Sequence, residues 1–145
     1  MAFSSTSNLD TYKNNLEILG DKTPNLKTYV DELQTGAFNA DTVTGTAQQA
    51  PANASYIANN AGLVTVTLPA TASVGSRVRV IGLGAGGWRV AQNASQLVHK
   101  SGTATTTGTG GSLSSSNRYN AVELVCVVAN TEWDVVSSEG TLTLA

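Results

Sequence analysis

The sequence contains few of the residues from which catalytic and metal sites are built. Its 145 residues include one cysteine, Cys126, and one histidine, His99. A single cysteine excludes a disulfide within the chain, which is typical of proteins that assemble in a reducing cytosol. A single histidine excludes sites that need two imidazoles, and no Gly-x-Ser-x-Gly elbow accompanies the many serines. We therefore expect no catalytic residues, no metal and no cofactor.

Paired carboxylates are scarce as well. A glycoside-cleaving enzyme needs two carboxylates that flank the bond it breaks. Glu123 and Asp134 point outward from neighbouring predicted strands, which favours partnership with arginines across a sheet. The acids that could supply such a pair are Glu123, Glu132, Asp134 and Glu139. We predict that the chain is not an enzyme, and a carbohydrate-active enzyme remains the unfavoured alternative.

The sequence also has few charged residues and no long apolar run. Charged residues make up 12% of the chain, about half of the ~25% that is usual in globular proteins. Eight basic residues stand against ten acidic ones, whereas DNA binding needs clustered Lys and Arg. No apolar run approaches the ~20 residues of a membrane span, and the first residues lack the basic and apolar regions of a signal peptide. We predict no nucleic-acid partner, no membrane partner and no classical secretion.

What the chain does contain is apolar and hydroxyl-bearing residues. Hydrophobic residues make up 41% of the sequence and the formal net charge is −2, a balance that predicts a folded protein because disorder needs low hydrophobicity and high net charge. A low-charge β sequence rich in threonine and glycine is typical of rigid particles and surface appendages. The exposed face of such a protein often meets another subunit.

The first 36 residues predict a short helical hairpin. Apolar residues recur at spacings of three and four, which places them on one face of each helix. Gly20 ends the first helix, Thr23-Pro24 begins the second, and Gly36 ends it. Both helices are too short to be stable alone in water, so their apolar faces must pack on each other, on the next domain or on a partner. These anchor candidates are Leu9, Tyr12, Leu16, Leu26, Tyr29 and Leu33.

A cluster of glycines in mid-chain matches the spacing of a dinucleotide-binding fingerprint. Gly82, Gly84 and Gly87 follow a hydrophobic strand, as that motif requires. In the motif the third glycine opens a helix whose amides bind pyrophosphate. Here the next residues, Trp88–Gln92, alternate as a strand does, and no acidic residue lies near enough to bind a ribose. We predict a turn between antiparallel strands, with outward arginines on either side of it at Arg77, Arg79 and Arg89.

Residues 37–145 predict a mainly β domain, a jelly-roll-like antiparallel sandwich of about eight strands that follows the helical hairpin. Ser55–Asn59 and Leu63–Leu68 predict a hairpin, and the Ser101–Ser116 tract predicts a long surface loop. Asn120–Asn130 is apolar on both faces, since Val125 and Val127 lie opposite the face formed by the alternate residues. Such a strand needs cover on both sides, from a second sheet and from helices or a neighbouring subunit. The expected interface residues are Arg77, Arg79, Arg89, Val125 and Val127.

Three stretches, Leu68–Val80, Gly84–Ala94 and Asn120–Trp133, resemble a β-module of tailed-phage virion proteins. The Gly-Ala-Gly-Gly-Trp-x-x-Ala-Gln run is the most specific part of the likeness. The module often ends tail fibres, tailspikes and needle-like tips, and the resemblance implies a compact β fold, oligomerisation and no cofactor. The chain differs from fibres and needles at its N-terminus, where 1–36 predicts a helical hairpin in place of a long shaft.

A short helical anchor ahead of a jelly roll is similar in architecture to capsid decoration or cement proteins. The resemblance therefore predicts a phage structural protein on the outer capsid surface, assembled in the host cytoplasm. Its partners would be the major capsid protein and copies of itself, as a dimer or trimer. The alternative is a short tail-fibre or tail-tip protein that binds a host-surface glycan, with the Ser101–Ser116 tract and Tyr119 as contacts.

Overall fold

A computed structural model describes residues 39–145, which form twelve β-strands and no helix. Within this part of the chain there is accordingly no helix that could cross a membrane. The predicted helical hairpin, its six anchor residues and the domain boundary after residue 36 lie outside the described residues. The strands are β1 (Asp41–Val43), β2 (Ala47–Gln49), β3 (Ala54–Ala58), β4 (Val64–Thr67), β5 (Arg77–Gly82), β6 (Trp88–Ala91), β7 (Leu97–Lys100), β8 (Thr103–Ala104), β9 (Ser112–Ser115), β10 (Ala121–Val128), β11 (Glu132–Glu139) and β12 (Thr143–Leu144).

The strands form two mixed sheets. The large sheet has seven strands in the order β1-β3-β5-β10-β11-β7-β8, and the small sheet has five in the order β12-β9-β6-β4-β2. The first six strands alternate between the sheets, and successive strands within each sheet pair in parallel. Parallel neighbours need a long crossover, and here the crossover is a strand of the opposite sheet. The first half of the domain therefore winds as three rungs of a flattened spiral.

The second half closes this spiral with antiparallel strands. β10 pairs with β5 and β11 in the large sheet, and β9 pairs with β6 and β12 in the small sheet. β7 is the exception, because it runs parallel to β11 before β8 turns back on it. Five of the ten strand pairings are thus parallel, so the sheets are mixed and not antiparallel throughout as predicted.

Two local predictions were wrong. β3 and β4 do not form a hairpin, because they belong to different sheets and each pairs with the strand of the next rung. The Ser101–Ser116 tract is not a long loop, since it contains β8 and β9. Its strand β9 was hidden because Leu113 is its only large apolar residue, and the other core-facing side chain is Ser115. The backbone of β9 forms its hydrogen bonds with β6 and with Ala145.

The core lies between the two sheets and is built by period-two alternation. Valines at every second position of β4, β5 and β6 are fully buried, and so are Trp88 and Trp133. Trp88 opens β6, and its indole Nε1 donates a hydrogen bond of 3.0 Å to the backbone oxygen of Asn120. A strand and not a helix follows Gly87, as predicted. The predicted turn between antiparallel strands is wrong, because β5 and β6 belong to different sheets and do not pair.

The glycine cluster lets two crossover loops touch backbone to backbone. Gly86 donates a hydrogen bond of 3.0 Å to the oxygen of Asn60, and a Cβ on Gly86 would overlap the carbonyl of Gly62. Gly87 adopts φ +70, a left-handed conformation that disfavours any residue with a side chain. These glycines therefore serve close packing of the β5–β6 crossover on the β3–β4 crossover.

A buried pair of glutamines ties the loops at the other end of β6. The amide nitrogen of Gln92 donates to the backbone oxygens of Gln96, Thr106 and Gly108, and its oxygen accepts from the Thr105 hydroxyl. Gln96 is fully buried and donates to the oxygens of Pro69 and Asn130. Because every polar atom of these amides has a partner, their burial carries little penalty and fixes the loops.

We expect Gly86→Ala to lower the free energy of unfolding by about 2 kcal/mol or more, because the added methyl group meets rigid backbone and forces the two loops apart. Gly110→Ala is the matched control: the space around Gly110 is open, and the change should stay within about 0.5 kcal/mol. Urea unfolding followed by tryptophan fluorescence measures both. Equal stabilities for the two variants would contradict the close contact of the loops.

Candidate interaction surfaces

The outer face of the large sheet carries most of the charge of the described domain. We call the outward side chains of β5, β10 and β11 the charged face. Arginines lie on β5, acids lie on β11, and β10 runs between them with one acid and small apolar residues. Its members are Arg77, Arg79 and Ile81 on β5, Ala121, Glu123 and Val125 on β10, and Asp134, Ser137 and Glu139 on β11.

Arg77 and Arg79 occupy different environments on this face. Arg77 forms an ion pair with Glu123, but its side chain is 62% exposed, so the pair contributes little stability. Arg79 is half-buried and lines a shallow groove of about 220 Å³ together with Glu123, Ser137 and Glu139. Among residues 39–145, no carboxylate lies within ion-pair distance of Arg79.

The acids of β11 are likewise without basic partners in the described range, apart from Glu132. Glu132 accepts from His99 across 2.9 Å, and both side chains are about 40% exposed. Asp134 and Glu139 make no ion pair with any residue from 39 onward. The charged face therefore has a basic column and an acidic column, and Arg79, Asp134 and Glu139 have no ion-pair partner among residues 39–145.

β-bulges displace the valines of β10 and β11 from the expected alternation. Val125 faces outward and is half-buried. Val127 is the extra residue of a bulge that ends the β10–β11 ladder, and Val136 is the extra residue of a second bulge. Strict alternation along this strand predicts Val128 on the same face as Leu124 and Cys126, but the bulge at Val127 shifts the register, and Val128 is 46% exposed.

One end of the domain is consequently apolar. Val74 is 66% exposed and Val127 is 42% exposed. The two segments are neighbours, because the nitrogen of Gly75 donates a hydrogen bond of 2.8 Å to the oxygen of Cys126. We call Val74, Val127 and Val128 the apolar end. Exposed valines grouped in this way are a common mark of a contact surface.

Arg89 lies on the opposite side of the domain from the other two predicted arginines. It projects from the outer face of the small sheet, between Thr65 and Ser114. The surrounding outward side chains are mostly threonine, serine and glutamine. The three outward arginines therefore lie on two different surfaces, because β5 and β6 belong to different sheets.

Tyr119 is the exposed aromatic side chain of the described domain. It is 67% exposed and adopts φ 65, a left-handed conformation that costs a residue with a side chain roughly 1 to 2 kcal/mol. Its nitrogen donates to the oxygen of Gly82, which holds the strained turn beside the glycine loops. Strained residues that keep a large exposed side chain are candidates for a functional role.

Other chemical centres are sparse in this part of the molecule. Residues 39–145 contain no group of three or more His, Cys, Asp or Glu side chains that could hold a metal ion. Cys126 is buried in β10, and its thiol lies 3.2 Å from the oxygen of Val128. Tyr56 is buried beside β1 and β2, and desolvation raises the pKa of its hydroxyl, with a smaller upward contribution from Asp41 and an opposing hydrogen bond from Gln48.

A scan against protein-family models returns no match to this chain, and a search of curated proteins returns none either.

We expect Tyr119→Gly to raise the free energy of unfolding by about 0.5 to 1 kcal/mol, since glycine removes the left-handed strain at a small entropic cost. Tyr119→Ala removes the ring but keeps the strain, and should change stability by less than about 0.5 kcal/mol. Urea unfolding of both variants checks this. A loss of more than about 2 kcal/mol in both would show that the ring is needed for folding, and so is not free to bind a partner.

Proposed function

We propose that this protein is a structural component of a tailed-phage virion that decorates the outer capsid surface and cements adjacent shell subunits. Its partners would be the major capsid protein and copies of itself, and it would assemble in the host cytoplasm. The proposal includes the finer fold assignment, a jelly-roll-like β-domain preceded by a helical hairpin in residues 1–36. It also includes the absence of catalysis, of a cofactor, and of nucleic-acid or membrane partners.

The apolar end carries this proposal. Val74, Val127 and Val128 keep large apolar side chains in water at one end of the domain, where a monomer gains nothing from them. Burying such a surface against a neighbour removes apolar area from water and stabilises the contact. A protein that must hold two shell subunits together needs this kind of surface in addition to a separate attachment site.

The physical role follows from the direction of load on a filled capsid. Internal pressure pulls shell subunits apart, and a protein that spans a joint resists separation with the area it buries on both sides. Permanent interfaces of this kind typically bury about 2,000 Å² or more. The tightly packed sheet body suits the task, because closely packed interiors deform little under strain.

A host-binding tail tip is the second candidate, and Tyr119 favours it. An exposed aromatic ring in a strained turn offers an apolar, rigid surface with a hydroxyl at its edge, which suits the face of a sugar ring. Arg118 and Asn117 precede it in the same exposed turn and supply hydrogen-bond donors. The ligand under this alternative is a host-surface glycan.

Particles that lack the protein should distinguish the two candidates. We expect them to rupture at ionic strengths that complete particles survive, and to regain resistance when purified wild-type protein is added. The Val127→Asp protein should fail to restore resistance, because it places a charge in the contact. Release of packaged DNA and adsorption to host cells are measured side by side.

Leu63→Asp is the control for that experiment, because Leu63 is also an exposed apolar residue, 40% exposed, but lies on the β3–β4 loop away from the apolar end. It should restore resistance as the wild type does. Particles that stay sound without the protein but fail to adsorb would reject the cement function and support the tail tip. Turnover of a cell-surface polysaccharide by the purified protein would reject both in favour of an enzyme.

Deletion of residues 1–36 tests the predicted anchor. We expect the shortened protein to lose attachment to capsids, because the apolar residues of the predicted helices would grip the shell. Circular dichroism should still show the β-domain, whose core is formed within residues 39–145. A shortened protein that continues to decorate capsids would remove the anchor role from these residues.

A further inference from the structure

We propose that the charged face is the interface of a twofold-symmetric dimer of this chain, in which Arg79 of each copy binds the β11 acids of the other. The inference rests on the proposed function for its biological use, since cementing requires copies that associate. The charges and the register of the large sheet point to the interface itself.

The charges on this face are separated by sign, and residues 39–145 of one copy do not neutralise them fully. β5 contributes Arg77 and Arg79, whereas β11 contributes Asp134 and Glu139. The strands are each about 4.8 Å from β10, so the two columns lie roughly 10 Å apart. That separation is too long for a direct ion pair within one chain, apart from the Arg77 contact with Glu123 on β10.

Arg79 is the clearest case of a charge that lacks an ion-pair partner within residues 39–145. The residue is half-buried beside the groove, and no acid of residues 39–145 lies within ion-pair distance of its guanidinium. A carboxylate supplied from outside the chain would give this charge a complementary partner. Glu139 borders the same groove and is also unpaired within the described range.

A twofold axis along β10 brings the opposite columns together. When two copies of the charged face stack with this axis between them, β5 of each copy lies over β11 of the other. Arg79 is level with Ser137 in the ladder, so Arg79 of one copy falls between Asp134 and Glu139 of the other. In a twofold dimer each contact occurs twice, so the arginines of both copies gain acidic partners from the other copy.

The strand on the axis suits the centre of such an interface. β10 presents Ala121 and Val125 outward, on either side of Glu123. The axis brings the two Glu123 carboxylates face to face, and the Arg77 that is paired with each of them offsets their repulsion. Small apolar side chains allow two sheets to approach to about 10 Å. A wholly basic or wholly acidic partner would satisfy one column and repel the other, so a second copy of this chain fits the face better than either.

Charge reversal in trans tests the dimer. Arg79→Glu and Glu139→Arg, each made in the full chain, should weaken self-association by about tenfold or more, because each places like charges in contact. An equimolar mixture of the two variants should form a heterodimer of restored affinity. In that heterodimer both contacts again join opposite charges, and sedimentation of fluorescently labelled protein measures the affinity.

Arg89→Glu is the matched control, since Arg89 lies on the small sheet, and its dimer should equal that of the wild type. Rising ionic strength should weaken the wild-type dimer, because salt screens exposed charges. Full self-association by Arg79→Glu, a monomeric wild type, or no recovery in the mixture would each overturn the proposal. The wild-type protein separates the two ideas. Decoration of particles by a wild type that stays monomeric would overturn the interface alone, and a wild type that dimerises without decorating particles would overturn the cement function alone.

Discussion

The described domain depends on one steric constraint, the contact of two crossover loops that meet backbone to backbone. Gly86 packs on Gly62 with no side chain between them, and its nitrogen bonds to Asn60. This contact fixes the distance between consecutive rungs at the point where the chain passes from the large sheet to the small one. With the rungs held in this way, the parallel pairs of both sheets are placed in a single register.

Register in turn decides which chemistry each surface shows. In a pleated strand a shift of one residue exchanges the inner and outer sets. The large sheet turns its arginines, acids and part of its valines outward, while the small sheet shows hydroxyl groups and Arg89. The two sides of the domain therefore differ in kind, one suited to charge-based association and the other to a hydrated surface.

Alternation in the sequence predicted most strands and the buried set, because inward valines, Trp88 and Trp133 follow a period of two. It did not predict which strands pair, since alternation is the same for parallel and antiparallel neighbours. The bulges at Val127 and Val136 were also invisible, because a bulge inserts one residue without a compositional mark. The sequence also could not show that Arg79 has no ion-pair partner within residues 39–145, because this depends on the register of β5, β10 and β11.

The alternating path of the first six strands also shapes how the domain comes apart. Neighbouring strands among these six are separated along the chain by a strand of the other sheet. One sheet therefore cannot unfold while the other sheet stays folded. Contacts of this non-local kind form slowly, because the loop between them must be closed first. A force applied to any of these six strands is therefore shared by both sheets, and no single strand separates first.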